Sequence, residues 1–427
     1  MPDNITSLSF PYKIIKFSKT FLRQLSFKNT FSALKHRNFK LWFYGQMISL
    51  IGTWMQITAQ SFLVFELTHS SSYLGYIGFA SGIPSWFFMF YGGVVVDRVS
   101  RRTVLIYTQI ALMLLSVILA YLTFSGKIEA WHILLLSFLT GIAIAFDAPA
   151  RQTFVNELVH REHLTNAIAL NATMFNTASA VGPAFSGVMY ALIGPAWCFT
   201  INAISFIAVI IGLYMIKLQP KPRAKKESSV LSDLKEGLVY IKSHKLIRTF
   251  IFFSAAVSLL GVSFTNLIPA WAVKILGGDS TTNGMLQSAR GAGALTSALV
   301  IASLGSFNFR GKLYTLGAIF LPTFIILFAL LHFSAAAYIT LIIVGACTVL
   351  VYNLTNAFLQ TLVSDELRGR VLAFYTFTFF GLMPLGSLLI GNAAEWFGET
   401  FAIIMFAALL LVCSFYVFLT VPKIRAL

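Results

Sequence analysis

Charge is what this sequence has least of: Asp, Glu, Lys and Arg make up 11% of its 427 residues, against 57% hydrophobic. A soluble domain usually carries about a quarter of its residues as charge, so the scarcity excludes an ordinary water-soluble fold and makes lipid the solvent. Acids are the scarcer sign, 15 against 31 bases. Cysteine is nearly missing, and Cys198, Cys347 and Cys413 all sit in apolar stretches, which excludes a disulfide framework and metal-ligand spacing. Neither a Walker loop nor a dinucleotide fingerprint is present, so ATP-driven pumping by this chain is unsupported. His132, Glu129 and the scattered serines form no hydrolase or metal motif. The expectation is a protein that is not an enzyme and holds no cofactor and no metal.

What is present is length in apolar runs. A helix needs about 20 mostly apolar residues to cross roughly 30 Å of hydrocarbon. Twelve stretches qualify: 41–65, 72–96, 103–125, 130–149, 171–193, 196–216, 250–273, 284–304, 313–333, 336–358, 372–394 and 400–421. The fold class expected is an all-α membrane protein of twelve transmembrane helices.

The net charge of +16 points away from nucleic acid once its placement is read. Every Lys and Arg except Lys127, Lys274 and Arg290 falls in a terminal segment or in alternate loops between the spans. Segregation of this kind is the positive-inside signal and predicts both termini in the cytoplasm. Residues 1–38 carry seven of these bases without a long apolar core or a cleavage site, so they are not a signal peptide. They are expected to be a cytoplasmic tail, either lying against anionic lipid or simply solvated. The longest polar stretch, 217–245, turns amphipathic from Val230 to Ile241 and separates a six-span segment, 39–216, from another, 246–427.

Those two segments align with each other at a nearly constant offset. Leu50-Ile51-Gly52 falls on Leu259-Leu260-Gly261, Gly75 on Gly284, and Gln152-Thr153 with Val155 on Gln360-Thr361 with Val363. An internal repeat with an even number of spans enters the membrane twice in the same sense, related by an axis along the membrane normal, and leaves a pathway between its copies.

The loop after the second span reads Gly93-Val-Val-Val-Asp97-Arg98-Val-Ser-Arg101-Arg102 and resembles the G-x-x-x-D-R-x-x-R-R signature of the major facilitator superfamily. The resemblance implies two pseudo-symmetric six-helix bundles and a gate latch made by Gly93, Asp97, Arg98, Arg101 and Arg102. In the fifth span, Ala178-Ser-Ala-Val-Gly182-Pro183-Ala-Phe-Ser186-Gly187 resembles the superfamily's antiporter motif with Ala178 and Ser186 in place of two glycines. It implies helix bending at Gly182, Pro183 and Gly187, the alternative being ordinary small-residue packing. Further similarity lies in Gly45-Gln46 with Leu50 to Gln56, in Phe146-Asp147-Ala-Pro149-Ala-Arg151-Gln152, and in Asp365-Glu366-Leu367-Arg368-Gly369-Arg370-Val371. From about Phe39 onward the chain is similar to the bacterial effector-secretion and siderophore-exporter branch, which includes enterobactin exporters and macrolide efflux pumps. That similarity implies a monomeric secondary transporter of the bacterial inner membrane, exporting a siderophore or drug-like molecule among membrane lipids. It also implies protons as the coupling ion, although Ser137-Phe-Leu-Thr140-Gly141 lacks the Arg that many drug antiporters carry in the fourth span. Asp147, Glu66 and His132 are the groups on which coupling would rest. An importer, an uncoupled facilitator and a lysophospholipid transporter stay open beside export.

Amides inside spans need partners that lipid cannot supply, so they face either a wet pathway or a neighbouring helix. Gln46, Ser49, Thr53, Gln56 and Gln60 recur at helical spacing in the first span; Asn283, Gln287, Arg290 and Ser297 do so in the eighth, and Asn353, Asn356 and Gln360 in the tenth. Gln46, Thr53, Gln56, Gln60, Gln287, Arg290, Asn353 and Asn356 are the candidate substrate-binding residues. Arg290 is the sharpest of them, because an Arg inside a span costs about 3 kcal/mol even on lenient insertion scales. Its guanidinium suits a carboxylate or phenolate, a structural ion pair, or snorkelling to headgroups. Asp147, four residues before Arg151, reads as part of the gate or as a proton carrier. Arg151, Arg368 and Arg370 complete the expected gating set.

Overall fold

The computed structural model describes residues 31–218, 230–304 and 309–426; residues 1–30 of the expected tail and 219–229 of the expected linker lie outside the described residues. The described residues form helices and no strand. The first half contains α1 (Arg37–Thr68), α2 (Ser71–Gly82), α3 (Pro84–Arg98), α4 (Arg101–Phe124), α5 (Ala130–Leu158), α6 (Leu164–Ile193) and α7 (Pro195–Met215). After α8 (Val230–Ser243), the second half contains α9 (Lys245–Ile275), α10 (Ser280–Leu304), α11 (Arg310–Leu330), α12 (Ser334–Leu362), α13 (Asp365–Phe397) and α14 (Glu399–Thr420).

Nine of the described helices are long and apolar enough to cross a membrane: α1, α4, α5, α7, α9, α11, α12, α13 and α14. The other three expected crossings differ for physical reasons. The expected span 72–96 is two helices, because Pro84 has no N–H to continue the ladder and instead opens α3 at its first position. α6 and α10 are long enough but rich in Ala, Gly, Ser, Thr and Asn, and they pack against each other. Helix surface covered by protein has no need to be greasy. The expected spans 130–149 and 336–358 also stop short of α5 and α12, which run on to Leu158 and Leu362. Hydropathy registers the lipid-embedded part of a helix, not its polar extension.

Helix ends are marked by local chemistry. Ser100 caps α4 by accepting from the Thr103 amide at 3.1 Å, and Glu129 with His132 forms a capping box on α5. Gly194 and Gly398, at φ 88° and 87°, turn α6 into α7 and α13 into α14 in a conformation that a β-carbon disfavours. The two turns occupy matching places in the repeat.

Matching crossings join the halves. α2 meets α13 at Gly75 and Gly391, and α6 meets α10 at Gly187 and Gly284. Small residues let backbones approach where lipid gives no hydrophobic drive for association. Within the second half, Phe250, Phe253, Trp271, Tyr314 and Phe328 form a fully buried aromatic core.

α9 departs most from expectation. The apolar stretch 250–273 predicts a plain helix, but π-turns at Val257–Val262 and Trp271–Ile275 flank a 3-10 segment at Ser263–Leu267. Pro269 withholds an amide from the ladder there, and Ser258 and Asn266 bond to Tyr352 and Ser387 of neighbouring helices at 2.7 and 2.6 Å. Irregular winding of this kind frequently marks functional positions.

Candidate functional site

Among the described hydrogen bonds that tie the first half to the second, none lies at the end bearing the basic loops. Trp86 Nε1 donates to the Gly381 carbonyl at 2.8 Å near mid-depth, and the remainder join Ser70, Ser71, Ser72, Tyr76 and Gly187 to Asn392, Glu395, Glu399 and Ser280 at the opposite end.

The polar stripe of α1 turns into the protein. Gln46 is 1% exposed, and its Oε1 has no hydrogen-bond partner among the described residues. Thr53 Oγ1 donates to the Ser49 carbonyl of its own helix at 2.8 Å. Gln56 accepts from Asn202 Nδ2 of α7 at 2.7 Å, and Gln60 donates to Ser137 of α5 at 2.7 Å. Gln56 and Gln60 thus bind α1 to its own half.

The stripe of α10 is different. Asn283 is 1% exposed, yet both of its amide atoms are without a partner among the described residues, as is the buried Arg290 Nε. Gln287 is buried on the same helix. The backbone is pinned around them: Gly291 lies against Ala180 of α6, and Gly345 of α12 lies against the Arg290 carbonyl. On α12, Asn353 is exposed, while Asn356 Oδ1 accepts from Gln360 at 2.8 Å. Among the described residues, α10 therefore presents a guanidinium with no ion-pair partner and, two turns away on the same face, the unsatisfied amide of Asn283, a set suited to an anionic oxygen.

The described partners of Asp147, Arg151, Arg101, Arg102, Arg368 and Arg370 lie inside their own halves or in α8. Asp147, 2% exposed, accepts from Thr108 Oγ1 at 2.9 Å, from Gln109 Nε2 at 2.8 Å, and from Arg151 Nε and Nη2 at 2.9 and 2.5 Å. Its described partners do not include Arg98, Arg101 or Arg102. Arg101 pairs with Glu157 at the end of α5, and Arg102 donates to the Tyr214 carbonyl at 2.8 Å. Arg98 is exposed at the end of α3, and the side chain of Asp97 lies outside the described residues. A β-carbon on Gly93 would meet nothing within 4 Å; the close approach of α3 to α5 occurs one residue earlier, where a β-carbon on Gly92 would stand 2.5 Å from the Ala145 carbonyl oxygen. In the second half Arg368 pairs with Asp365 at 2.5 Å and Arg370 with Glu236 of α8 at 2.6 Å, which docks the amphipathic helix on α13.

Gly182 packs against Trp54 and the Ile51 carbonyl of α1, and α6 continues unbroken through Gly182, Pro183 and Gly187. Of the other groups weighed for coupling, Glu66 accepts from the Tyr190 hydroxyl and His132 Nδ1 accepts from the Glu129 amide at 3.1 Å. Sequence reasoning passed over Glu395, Glu399 and Lys274. Each stands near a helix end, where charge is unremarkable, and nothing in the local pattern reveals that Glu395 and Glu399 bond to α2 across the two halves.

A family model described as transmembrane secretion effector matches residues 28–427. Among curated proteins, the chain is 26% identical to the staphyloferrin A transporter of Staphylococcus aureus, covering 88% of this chain and 95% of the relative. It is 21% identical to macrolide efflux protein A of Streptococcus pyogenes over 92% and 99% of the two chains. Its fold is similar to the crystal structure of a D-xylose-proton symporter, with a TM-score of 0.71 at 15% identity, covering 92% and 98%.

Proposed function

The chain belongs to the transmembrane secretion effector family of major facilitator transporters, and from that premise we propose that it exports a small polar or amphiphilic molecule, of siderophore or drug type, across the bacterial inner membrane by alternating access. Efflux is named in the description of macrolide efflux protein A and transport, without direction, in that of the staphyloferrin A transporter, and the long polar-helix surfaces suit substrates of that class. The basic loops face the cytoplasm under the positive-inside rule, so the charged cross-half bonds at the other end correspond to a state closed on the outside. Segments 39–216 and 246–427 act as the two moving bundles of a monomer, with 217–245 as their tether.

The observation that carries the reading is the buried Arg290 Nε and, two turns away on the same face of α10, the Asn283 amide, neither with a protein partner among the described residues. A guanidinium at that depth is costly unless something neutralises it, and a carboxylate or phenolate on the substrate does so. Arg290 and Gln287 bind it; Gln46, Asn353 and Asn356 line the pathway, while Thr53, Gln56 and Gln60 order its wall. The basic-rim residues, with Asp147 and Arg151 beneath them, form the inner latch, and the open space at Gly93 leaves room for a helix of the other half. Protons are the counter-ion by family analogy.

Secreted metabolites of a deletion strain and its complemented parent test the export reading. Intracellular build-up of one anionic metabolite in the deletion strain supports it, and equal distributions in both strains overturn it. In liposomes, exchange that ignores an imposed pH gradient removes the proton from the cycle.

A further inference from the structure

We propose that Glu395 and Glu399 are the outer gate of this transporter, a pair of carboxylates from the second half of which Glu395 caps the N-terminus of α2 and Glu399 binds the Ser71 hydroxyl beside it, and both must let go before that end can open. The inference rests on the alternating-access reading above.

The first amides of any helix have no intrahelical acceptor, and the aligned peptide dipoles make that end attractive to anions. In α2 the cap residue, Ser70, supplies no side-chain acceptor of its own. Glu395 Oε2 does so from the other half, accepting from Ser70 Oγ at 2.9 Å and from the amides of Ser71 and Ser72 at 2.7 and 3.2 Å. Glu399 Oε1 accepts from Ser71 Oγ and from Lys274 Nζ, each at 2.7 Å. Glu399 is 7% exposed. Lys274 completes the tie by lying 5.5 Å from the ring centre of Phe65 in α1. One turn deeper, Asn392 Oδ1 accepts from Ser72 Oγ and Tyr76 at 3.1 and 3.2 Å.

The serine bonds to Glu395 and Glu399 are charge-assisted, roughly twice as strong as neutral ones, and they exist only while the halves touch. The repeat-related crossing supplies the comparison. Where α6 meets α10, the described side-chain bond across the halves is a 3.4 Å contact from Ser280 Oγ to the Gly187 carbonyl, and the neighbouring carboxylate, Asp279, caps its own helix by accepting from the Thr282 amide at 3.0 Å. Both crossings are close enough to seal; the α2 crossing alone carries a latch made of groups that bind the opposite half by charge. Separation there hands five donors of Ser70, Ser71 and Ser72 back to water and leaves Glu399 with Lys274 alone, so loss of the carboxylate charge favours the outward-open state.

The test is a pair of spin labels at Ser125→Cys and Phe333→Cys, on exposed turns of the two halves at that end, with the three native cysteines replaced by Ala. Full-length protein in liposomes is compared with Glu395→Gln, Glu399→Gln and Lys274→Gln, with Glu366→Gln at the basic end as control. The expected result is a several-fold gain in the long-distance population for the three gate variants and none for the control. Distance distributions equal to the parent in all three variants overturn the gate. Loss of folded protein in one variant leaves two to decide, and a structural role alone lowers yield without moving the distances. Export is read in parallel: unchanged distances with intact export sink the gate and spare the transport reading, whereas shifted distances without export of any metabolite do the reverse.

Discussion

Gly75 and Gly391 touch backbone to backbone: a β-carbon on Gly75 would stand 3.0 Å from Gly391 Cα, and one on Gly391 would stand 2.7 Å from Gly75 Cα. Gly187 and Gly284 repeat the relationship at 3.2 and 2.8 Å, and seven residues beyond Gly187 and Gly391 lie the helix-ending glycines Gly194 and Gly398. The halves are therefore joined by two equivalent contacts with no side chain between them.

Gly391→Val forces α2 and α13 apart, an overpacking cost of about 1–3 kcal/mol. The expected outcome is a lowered melting temperature together with loss of transport, milder for Gly391→Ala. Gly93→Ala, at an open position, leaves melting unchanged. Equal melting for Gly391→Val and the parent counts against the close crossing.

Arg290→Gln removes a charge-assisted bidentate contact, worth about 1.5–3 kcal/mol when the partner is ionic. Export of the anionic metabolite falls tenfold to a hundredfold, and Arg290→Lys, which keeps charge but loses the planar fork, recovers only part of it. Full activity in Arg290→Lys argues for a point charge instead of a fork. Full activity in Arg290→Gln removes the residue from the binding site.

Asp147→Asn takes a charge from a buried carboxylate that three side chains contact. Breaking such a network destabilises by about 1–3 kcal/mol through stranded donors, with the thermal midpoint as readout. A gating role predicts altered inner-side distances with proton exchange retained. Proton carriage predicts loss of pH-driven exchange with counterflow retained, and the two assays separate these outcomes.

His36, His160 and His163 cluster where the chain enters α1, with ring centres 5.2 and 5.0 Å from His36. Partial burial holds the His36 imidazole below its ordinary 6.5, and the neighbouring His163 and His160 add to the effect. The folded protein then binds fewer protons at His36 than the unfolded chain, so the stability present above about 6.5 is lost as pH falls through the lower folded value. Protection of the Ala33 amide, which donates to Asn166 at 2.9 Å, decreases over that window once intrinsic exchange is corrected. In His36→Gln the protection is nearly flat with pH. A slope in that variant equal to the parent's assigns the effect elsewhere.

Residue types and their order are enough to establish the solvent, the number of crossings and the duplication. Apolar runs of about 20 residues can only be satisfied by a bilayer, and the offset that lays Gly75 on Gly284 identified the two glycines that now occupy equivalent crossings. Hydropathy found the twelve apolar runs but not that the second is broken at Pro84 into α2 and α3. It also missed the winding of α9, since π-turns depend on how neighbouring helices pack and leave no mark on composition.

Side-chain direction is where linear reasoning ends. Gln56 and Arg290 look alike in sequence, each a polar residue in a helical stripe, yet Gln56 is satisfied by Asn202 and Arg290 Nε by no described residue. A period of 3.6 residues says which positions share a face and is silent on what that face meets. Glu395 and Glu399 read as two acids near helix ends, and only the docking of the second half on α2 makes Glu395 a cap and Glu399 a partner of the Ser71 hydroxyl. The sequence by itself determined a duplicated, twelve-crossing transporter, because hydration cost and repetition are properties of the chain. Which polar groups are paired, which are free to receive a ligand and which close the halves together was decided by tertiary structure, because each depends on partners hundreds of residues away.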